Sequence, residues 1–241
     1  MQAMPSPQRY EALVSRVEAL TPRVRALHLK LDRPIEFVAG QFAYVLIERE
    51  GRLIKKPYSI ASPPSQSPTD HLELAITLVP GGYVSTLLHG MRGGEKLTIE
   101  GAAGRFVVKD PGASDLVFVA TGTGVAPIRS MLLTLFQRGC SRNVWLIFGV
   151  RHEDEILYLA DWRRLETAYP SFHFIPTISR PKSAEWMGEV GYVQTKLAGY
   201  VPEPNGKLVF VCGVVPMVKD VTNALVALGY KPQQIKVEKY T

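Results

Sequence analysis

The residues with the clearest chemical content are Thr121-Gly122-Thr123-Gly124-Val125-Ala126-Pro127, which follow the apolar run Leu116-Val117-Phe118-Val119-Ala120. A glycine turn between a strand and a helix lets backbone N–H groups approach a pyrophosphate, with the helix dipole behind them. Pro127 suits the first turn of the helix that runs on to Gly139. A tight turn with no ligand gives the same pattern, so both readings stand on these residues alone. Two details exclude the common dehydrogenase version of the motif. Pro127 stands where the third glycine belongs, and the next strand runs into basic Gly149-Val150-Arg151-His152 rather than toward an acid for a ribose.

Three further stretches carry reactive or ligand-binding types. Cys212-Gly213 closes the apolar run 208–212 at the carboxyl end of a strand, where α/β sheets bind ligands. Gly213 permits close backbone approach, and Cys212 is either a small polarizable neighbour for a flat ring or a buried core residue. In Lys55-Lys56-Pro57-Tyr58-Ser59, a cation, an aromatic ring and a hydroxyl share one strand. Lys56 could meet a phosphate, Tyr58 could stack on a planar ring and Ser59 could bond a ring nitrogen, or all three belong to an ordinary strand with a solvated end. Strand alternation sends Tyr58 and Ser59 to opposite faces. Gly81-Gly82 precede a helix start at Tyr83-Val84-Ser85-Thr86, where free N–H groups and the two hydroxyls can serve an anion or simply cap the helix.

The elements that must position these residues fall into two regimes. From Arg9 to about Lys109 the pattern is strand-like: Leu72, Leu74, Ile76 and Leu78 alternate, and runs 24–31 and 42–48 are broken by turns. Many short strands with few helices predict an antiparallel β-barrel or sandwich. After Asp110-Pro111-Gly112, apolar runs at 116–120, 144–149, 172–176 and 208–212 alternate with helix-length segments, which predicts a parallel sheet wrapped by helices. The expected domains are therefore residues 1–110 and 111–241. QIKVEKY, at 234–240, adds a strand that packs Tyr240.

Composition narrows the function. Of 241 residues, 46% are hydrophobic and 21% charged, which fits a globular chain and disfavours disorder and coiled coil. The formal charge of +6 favours anionic partners. Cys140 and Cys212 are too few for an iron–sulfur cluster, and no structural metal site is expected. No basic stripe with interleaved aromatics points to nucleic acid. Without a signal-like N-terminus or an apolar run of spanning length, the expected location is cytoplasmic and no membrane span is expected.

In this order, the motifs resemble those of the ferredoxin–NADP reductase superfamily of FAD-dependent NAD(P)H oxidoreductases. Tyr58-Ser59-Ile60-Ala61-Ser62 is similar to its Arg-x-Tyr-Ser element, and Gly82 with Ser85 to its Gly-x-x-Ser element. Residues 101–106, GAAGRF, resemble its Gly-x-x-Gly-x-Phe element. Gly122-Thr123-Gly124-Val125-Ala126-Pro127, Phe148-Gly149-Val150-Arg151 and Cys212-Gly213 follow in place, so the resemblance covers residues 9–241.

The resemblance implies an FAD-binding β-barrel domain followed by a Rossmann-like NAD(P)H domain. It implies that Tyr58 stacks on the flavin, Ser59 reaches its N5, and Gly82, Ser85 and Thr86 hold its pyrophosphate. Gly122, Thr123, Gly124, Pro127 and Arg151 would serve the nicotinamide nucleotide, with Cys212 and Gly213 beside the nicotinamide. Glu238 would assist proton balance and Tyr240 would shield the flavin. Ser59, Cys212 and Glu238 are the expected catalytic set. Two departures stand out: Lys56 replaces an arginine whose fork grips the flavin phosphate, and Val214-Val215 replace a proline pair. Ser179-Arg180 and Tyr192 resemble the 2′-phosphate and adenine contacts of NADPH users, favouring NADPH over NADH. The expected acceptor is a separate acidic carrier, ferredoxin or flavodoxin. A free-flavin reductase and an electron-transfer or nucleotide-sensing subunit of a larger complex are the alternatives; no oligomeric state is implied.

Overall fold

The structure, a computed structural model, describes residues 8–64, 68–109, 112 and 114–240. Two compact units divide the chain. One comprises the residues up to Val107 together with Arg129–Leu135, and the other Val108–Ile128 with Phe136 onward. The boundary expected between 110 and 111 falls on residues outside those described.

The first unit contains strands β1 (Gln8–Thr21), β2 (Val24–Ile35), β3 (Phe42–Arg49), β4 (Arg52–Ser59), β5 (Thr69–Thr77) and β6 (Lys96–Ala103), with helix α1 (Tyr83–His89) between the last two. The strand order is β4-β3-β6-β1-β2-β5, and every pairing is antiparallel. Just past β4, Ile60 bridges Leu74 and the Ala61 N–H donates to the Glu73 carbonyl at 2.8 Å, which joins the two edges into a barrel. The expected antiparallel architecture is thus observed. β1 and β2 are longer than the short strands the turn pattern suggested. Irregularities at Val14/Arg16 and Ala19/Thr21 bend β1, so one strand serves two neighbours along its length.

Alternation fills the barrel interior. Leu27, Leu29, Leu31, Val45, Ile47, Leu72, Leu74 and Ile76 are all buried there. Each such side chain contributes about 2 kcal/mol through burial. β5 departs from simple alternation, because Glu73 and Ala75 on its other face are buried too. The cause is the segment Arg129–Leu135. Arg129 Nη1 donates to Glu73 Oε2 and to the Ala61 carbonyl, both at 3.0 Å, and Ser130 Oγ donates to the Ser62 carbonyl at 2.7 Å. A buried carboxylate needs such a partner, since desolvation alone would make it costly.

The second unit holds the parallel sheet: β7 (Asp115–Thr121), β8 (Val144–Val150), β9 (Phe172–Ile178), β10 (Glu189–Val190), β11 (Lys207–Val214) and β12 (Ile235–Tyr240), in the order β10-β9-β8-β7-β11-β12. Helices α3 (Leu159–Ala168), α4 (Leu197–Tyr200) and α5 (Val215–Ala227) belong to this unit, while α2 (Val125–Gln137) contributes its ends here and its stretch Arg129–Leu135 to the first unit. The central strands read as unbroken apolar runs because both sheet faces are covered. Val117, Val119, Ile147, Val209 and Val211 pack on one face with Val218, Val221 and Leu225 of α5. The four strands expected from their apolar runs form, and β12 realises the QIKVEKY expectation.

The outer edge of β9 is only partly covered, since β10 pairs with Thr177 and Ile178 alone. Below that point Phe172 N–H donates to the Tyr169 carbonyl at 2.9 Å and Phe174 N–H to Glu166 Oε1 at 3.3 Å. By strand alternation the next outward-facing nitrogen belongs to Pro176, which has no hydrogen to donate.

Candidate functional site

In the second unit, β8 lies on one side of β7 and β11 on the other, so the winding reverses between β7 and β11. Such a switch point opens a crevice at the carboxyl ends of the strands. Thr121 and Gly213 stand at those two ends. The turn Gly122–Gly124 is a single 3₁₀ turn that leads directly into α2, and Pro127 is the third residue of that helix.

The two glycines of this turn serve different ends. Gly122 has φ +52°, and no atom lies within 4 Å of where its Cβ would be. Its requirement is conformational, and its Cβ position is unobstructed. Gly124 has no such φ, but a Cβ there would come 2.4 Å from the Cys212 carbonyl oxygen. The missing side chain lets the start of α2 sit against the end of β11. Gly213 is similarly enclosed, since a Cβ would meet Met217 Cε at 2.4 Å and Thr121 Oγ1 at 2.5 Å.

Cys212 pairs in register with Ala120 on one side and Glu238 on the other. Its side chain is fully buried, and Sγ lies 3.9 Å from Glu238 Oε1. Burial, and then the Glu238 charge, push the thiol well above its ordinary range, while a hydrogen bond with Tyr240 works the other way. Cys212 therefore presents a neutral S–H and not a thiolate nucleophile. Tyr240 is half-buried and lies in β12 opposite Val214.

The loops after β8 and β9 are tied together. Ser179 N–H donates to the Val150 carbonyl at 3.0 Å, Arg180 N–H to the Arg151 carbonyl at 2.8 Å, and His152 Nδ1 stands 2.6 Å from the Arg180 carbonyl. Gly191 N–H donates to the Ile178 carbonyl at 2.9 Å, which brings the exposed Tyr192 to the same end of the sheet. Arg151, Ser179, Arg180 and Tyr192 are thus gathered at neighbouring strand ends. Neither the Arg151 nor the Arg180 guanidinium takes part in an ion pair among the described residues. Two cations left open beside a serine fit a phosphate ester.

In the first unit, Lys56, Tyr58 and Ser59 lie on β4 as expected. Lys56 is exposed and in no ion pair among the described residues, whereas Tyr58 is half-buried against the barrel core and Ser59 is buried. Burial raises the Tyr58 phenol to about 12, so its ring is presented as a neutral surface. The neighbouring Lys55 is paired: its Nζ bonds Glu100 Oε1 at 2.7 Å, and Arg9 Nε holds Glu100 Oε2 at 3.1 Å.

Helix α1 begins after Gly82, with Gly81 at φ +73°. Ser85 Oγ accepts from Val79 N–H at 3.2 Å and donates to the Gly82 carbonyl at 3.0 Å, so this hydroxyl shapes the turn itself. The exposed hydroxyl is that of Thr86. Gly82 is confined, since a Cβ would lie 2.7 Å from Ser85 Oγ. The Gly82 N–H donates to the Val79 carbonyl at 2.9 Å. An exposed lysine in no ion pair among the described residues, a half-buried ring and the glycine-led start of α1 fit a flavin dinucleotide. Among the described residues, no group of three or more His, Cys, Asp or Glu could hold a metal ion, and no helix is long and apolar enough to cross a membrane.

Three elements of these sites escaped the sequence reading: Glu153, which grips the Arg180 loop, the Arg129–Glu73 pair, and the Arg9–Glu100–Lys55 cluster. Each joins residues from 28 or more positions apart, and no local motif marks them.

Comparison with known proteins adds the family. Residues 11–108 match the oxidoreductase FAD-binding domain and residues 118–223 the oxidoreductase NAD-binding domain. The chain is 36% identical to ferredoxin–NADP reductase B of Sorangium cellulosum, covering 96% of this chain and 97% of that protein. It is 32% identical to the reductase component DmpP of phenol 2-monooxygenase from Pseudomonas, and there the match spans 96% of this chain but only 65% of the relative. Among solved structures it resembles the cytochrome P450 reductase GcoB of Amycolatopsis at TM-score 0.89 and 27% identity, covering 98% of this chain and 70% of that one. A ferredoxin NADP+ reductase from Neisseria gonorrhoeae, solved with FAD and NADP bound, shares the fold at TM-score 0.84, with 24% identity over 98% of this chain and 99% of that one. With the barrel, the switch-point crevice and both family domains in one chain, this protein belongs to the ferredoxin–NADP reductase superfamily and is an FAD-binding, flavin-dependent NAD(P)H oxidoreductase.

Proposed function

We propose that this protein takes hydride from NADPH in preference to NADH and passes the electrons one at a time to a separate acidic redox protein, a ferredoxin or flavodoxin. Residues 1–110 form the FAD domain in this reading and residues 111–241 the NAD(P)H domain. Bound FAD supplies the chemistry that converts a hydride into single electrons; the polypeptide's part is positioning and exclusion of water.

The observation that carries the NADPH preference is the gathering of Arg151, Ser179 and Arg180 at neighbouring strand ends, with neither guanidinium in an ion pair among the described residues. Tyr192 offers a ring for the adenine. Gly122, Thr123, Gly124 and Pro127 receive the pyrophosphate, while Cys212 and Gly213 border the nicotinamide. On the flavin side Tyr58 stacks on the ring system, Ser59 bonds N5, and Lys56, Gly82, Ser85 and Thr86 hold the pyrophosphate. For Ser85 the backbone N–H is the available donor, given that its hydroxyl is engaged. Glu238 takes part in proton balance, and Tyr240 covers the flavin. The surplus of +6 supports an acidic partner.

A second reading has its own support. Relatives that match almost the whole chain are named as reductase components of phenol and terephthalate oxygenases. On that reading the protein serves as the reductase of an oxygenase system. Stopped-flow mixing of the FAD-loaded protein with NADPH and with NADH tests the donor. Subsequent addition of ferredoxin, flavodoxin, an oxygenase component or free FMN tests the acceptor. Reduction faster with NADPH and oxidation fastest by a ferredoxin or flavodoxin are expected. Equal donors would overturn the NADPH preference, and rapid turnover of free FMN by protein that purifies without flavin would make it a free-flavin reductase.

A further inference from the structure

The loop that carries Arg180 is held by a carboxylate from the neighbouring loop. Glu153 Oε1 accepts from Lys182 N–H at 2.9 Å and from Ser183 N–H at 3.1 Å, and its Oε2 accepts from Lys182 N–H at 3.1 Å. Lys182 Nζ meets both oxygens of Asp154 at 3.0 and 3.1 Å. Arg151 N–H is in turn held by Glu155 Oε2 at 3.1 Å. Together with the Arg151 carbonyl and the His152 ring on the Arg180 backbone, these bonds tie down the backbone on both sides of Arg180. Its guanidinium takes part in no ion pair among the described residues.

The charges are arranged to keep it so. Glu153 spends its lone pairs on backbone N–H groups, which hold its carboxyl below the ordinary range. Asp154 is neutralised by Lys182. Neither acid pairs with Arg180, although both sit in the adjoining loop. A long side chain on a mobile loop would lose backbone and rotamer freedom on binding an anion, and fixing the backbone beforehand removes the larger part of that cost.

We propose that Glu153 is the positioning residue for nucleotide selection: by clamping residues 182–183 it holds Arg180 where a nucleotide 2′-phosphate is received. This rests on the NADPH reading of the Arg151–Ser179–Arg180 site. Glu153 makes no contact with the nucleotide in this account and acts only through Arg180.

The test is a double-mutant cycle on the full-length, FAD-loaded protein, with ferricyanide as acceptor. kcat/KM for NADPH and for NADH is measured in wild type, Glu153→Ala, Arg180→Ala and the double variant, alongside the dissociation constants of 2′,5′-ADP and 5′-AMP. Glu153→Ala should lower the NADPH-to-NADH ratio about tenfold and weaken 2′,5′-ADP by a similar factor. It should leave 5′-AMP within about twofold. In the Arg180→Ala background the same substitution should have almost no further effect, because its action passes through that side chain. Additive losses in the two variants, or equal losses for both nucleotides, would overturn the proposal. If Arg180→Ala alone moves NADPH and NADH equally, the NADPH reading itself falls. Selectivity lost in Arg180→Ala but untouched in Glu153→Ala defeats only the clamp. Should Glu153→Ala not fold, Glu153→Gln keeps one acceptor oxygen, and an intermediate loss of selectivity is expected from it; an unchanged ratio there would count against the clamp.

Discussion

The Cys212 thiol and the Glu238 carboxylate face each other across adjacent parallel strands, with Sγ 3.9 Å from Oε1. An acid next to a buried thiol disfavours the thiolate, the opposite of the cationic setting that activates a nucleophilic cysteine. Fully buried and neutral, the thiol is not set up as a nucleophile.

That pairing predicts how the two cysteines react. Cys140 is partly exposed, whereas Cys212 is buried with its pKa raised. Iodoacetamide at pH 8 should label Cys140 and leave Cys212 unmodified over hours, as read by peptide mass spectrometry. Rapid labelling of Cys212 would show that the thiol is neither shielded nor neutral. Cys212→Ser should fold, with its main loss in the rate of flavin reduction.

The glycine pair of the turn before α2 should respond unequally to alanine. At Gly124 a methyl group meets a carbonyl oxygen at 2.4 Å, and backbone cannot yield as a side chain can. Gly124→Ala should lower stability by about 1–3 kcal/mol and displace the start of α2 from β11. At Gly122 the methyl has room, and the cost is the left-handed backbone, about 1–2 kcal/mol. Urea unfolding of both variants, with NADPH-driven flavin reduction, separates them. Gly122→Ala is expected to retain the α2–β11 packing and so the faster reduction.

The Arg129–Glu73 pair predicts a severe single-site effect. Both side chains are largely buried, and Arg129 also satisfies the Ala61 carbonyl. Arg129→Ala leaves a buried carboxylate without that partner, a change of about 3–5 kcal/mol. Replacing both residues by Met and Leu should recover much of the loss, measured as Tm by calorimetry. A melting point unchanged in Arg129→Ala would show that Glu73 is satisfied without it.

Acid sensitivity should trace in part to Glu100. The Lys55 ammonium, and then the Arg9 guanidinium, hold its carboxyl below the ordinary range despite its burial. A carboxyl whose folded value is depressed contributes stability above its unfolded value, about 4.3, and that contribution disappears as pH falls through the folded value. Lys55→Met should therefore lower stability at pH 7 and narrow the gap from wild type as the solution is taken below about pH 4. A gap that stays constant down to pH 3 would show that Glu100 is not coupled to Lys55.

The barrel and the parallel sheet were legible because each follows a period that the chain repeats: alternation at 72–76, and unbroken apolar runs at 116–120 and 208–212. Turn chemistry located the glycine turn at 122–124 and the start of α1 for the same local reason. The two-residue β10 is too short to impose a period. Burial of both faces of β5 depends on Arg129, 56 positions from Glu73, and no pattern within a strand can announce it. The Glu153 clamp spans 29 and 30 positions to its two N–H partners, so it reads in sequence as one more acid in His-Glu-Asp-Glu. At Ser85 the motif marks the start of α1, while the direction of the hydroxyl is decided by Val79 and Gly82.

Pro176 has a consequence for the protein outside its chemistry. Along the open margin of β9, the two N–H groups before Pro176 are already spoken for and the third does not exist. A strand from another molecule that approached this margin would find carbonyl oxygens but no hydrogens to share, so a ladder could not propagate. The apolar interior strands of this sheet are the kind that seed fibrils when exposed, and this margin withholds the template on which such growth would begin. Replacing Pro176 with a residue that carries an N–H would return that donor, and with it a route to ordered aggregation at high concentration.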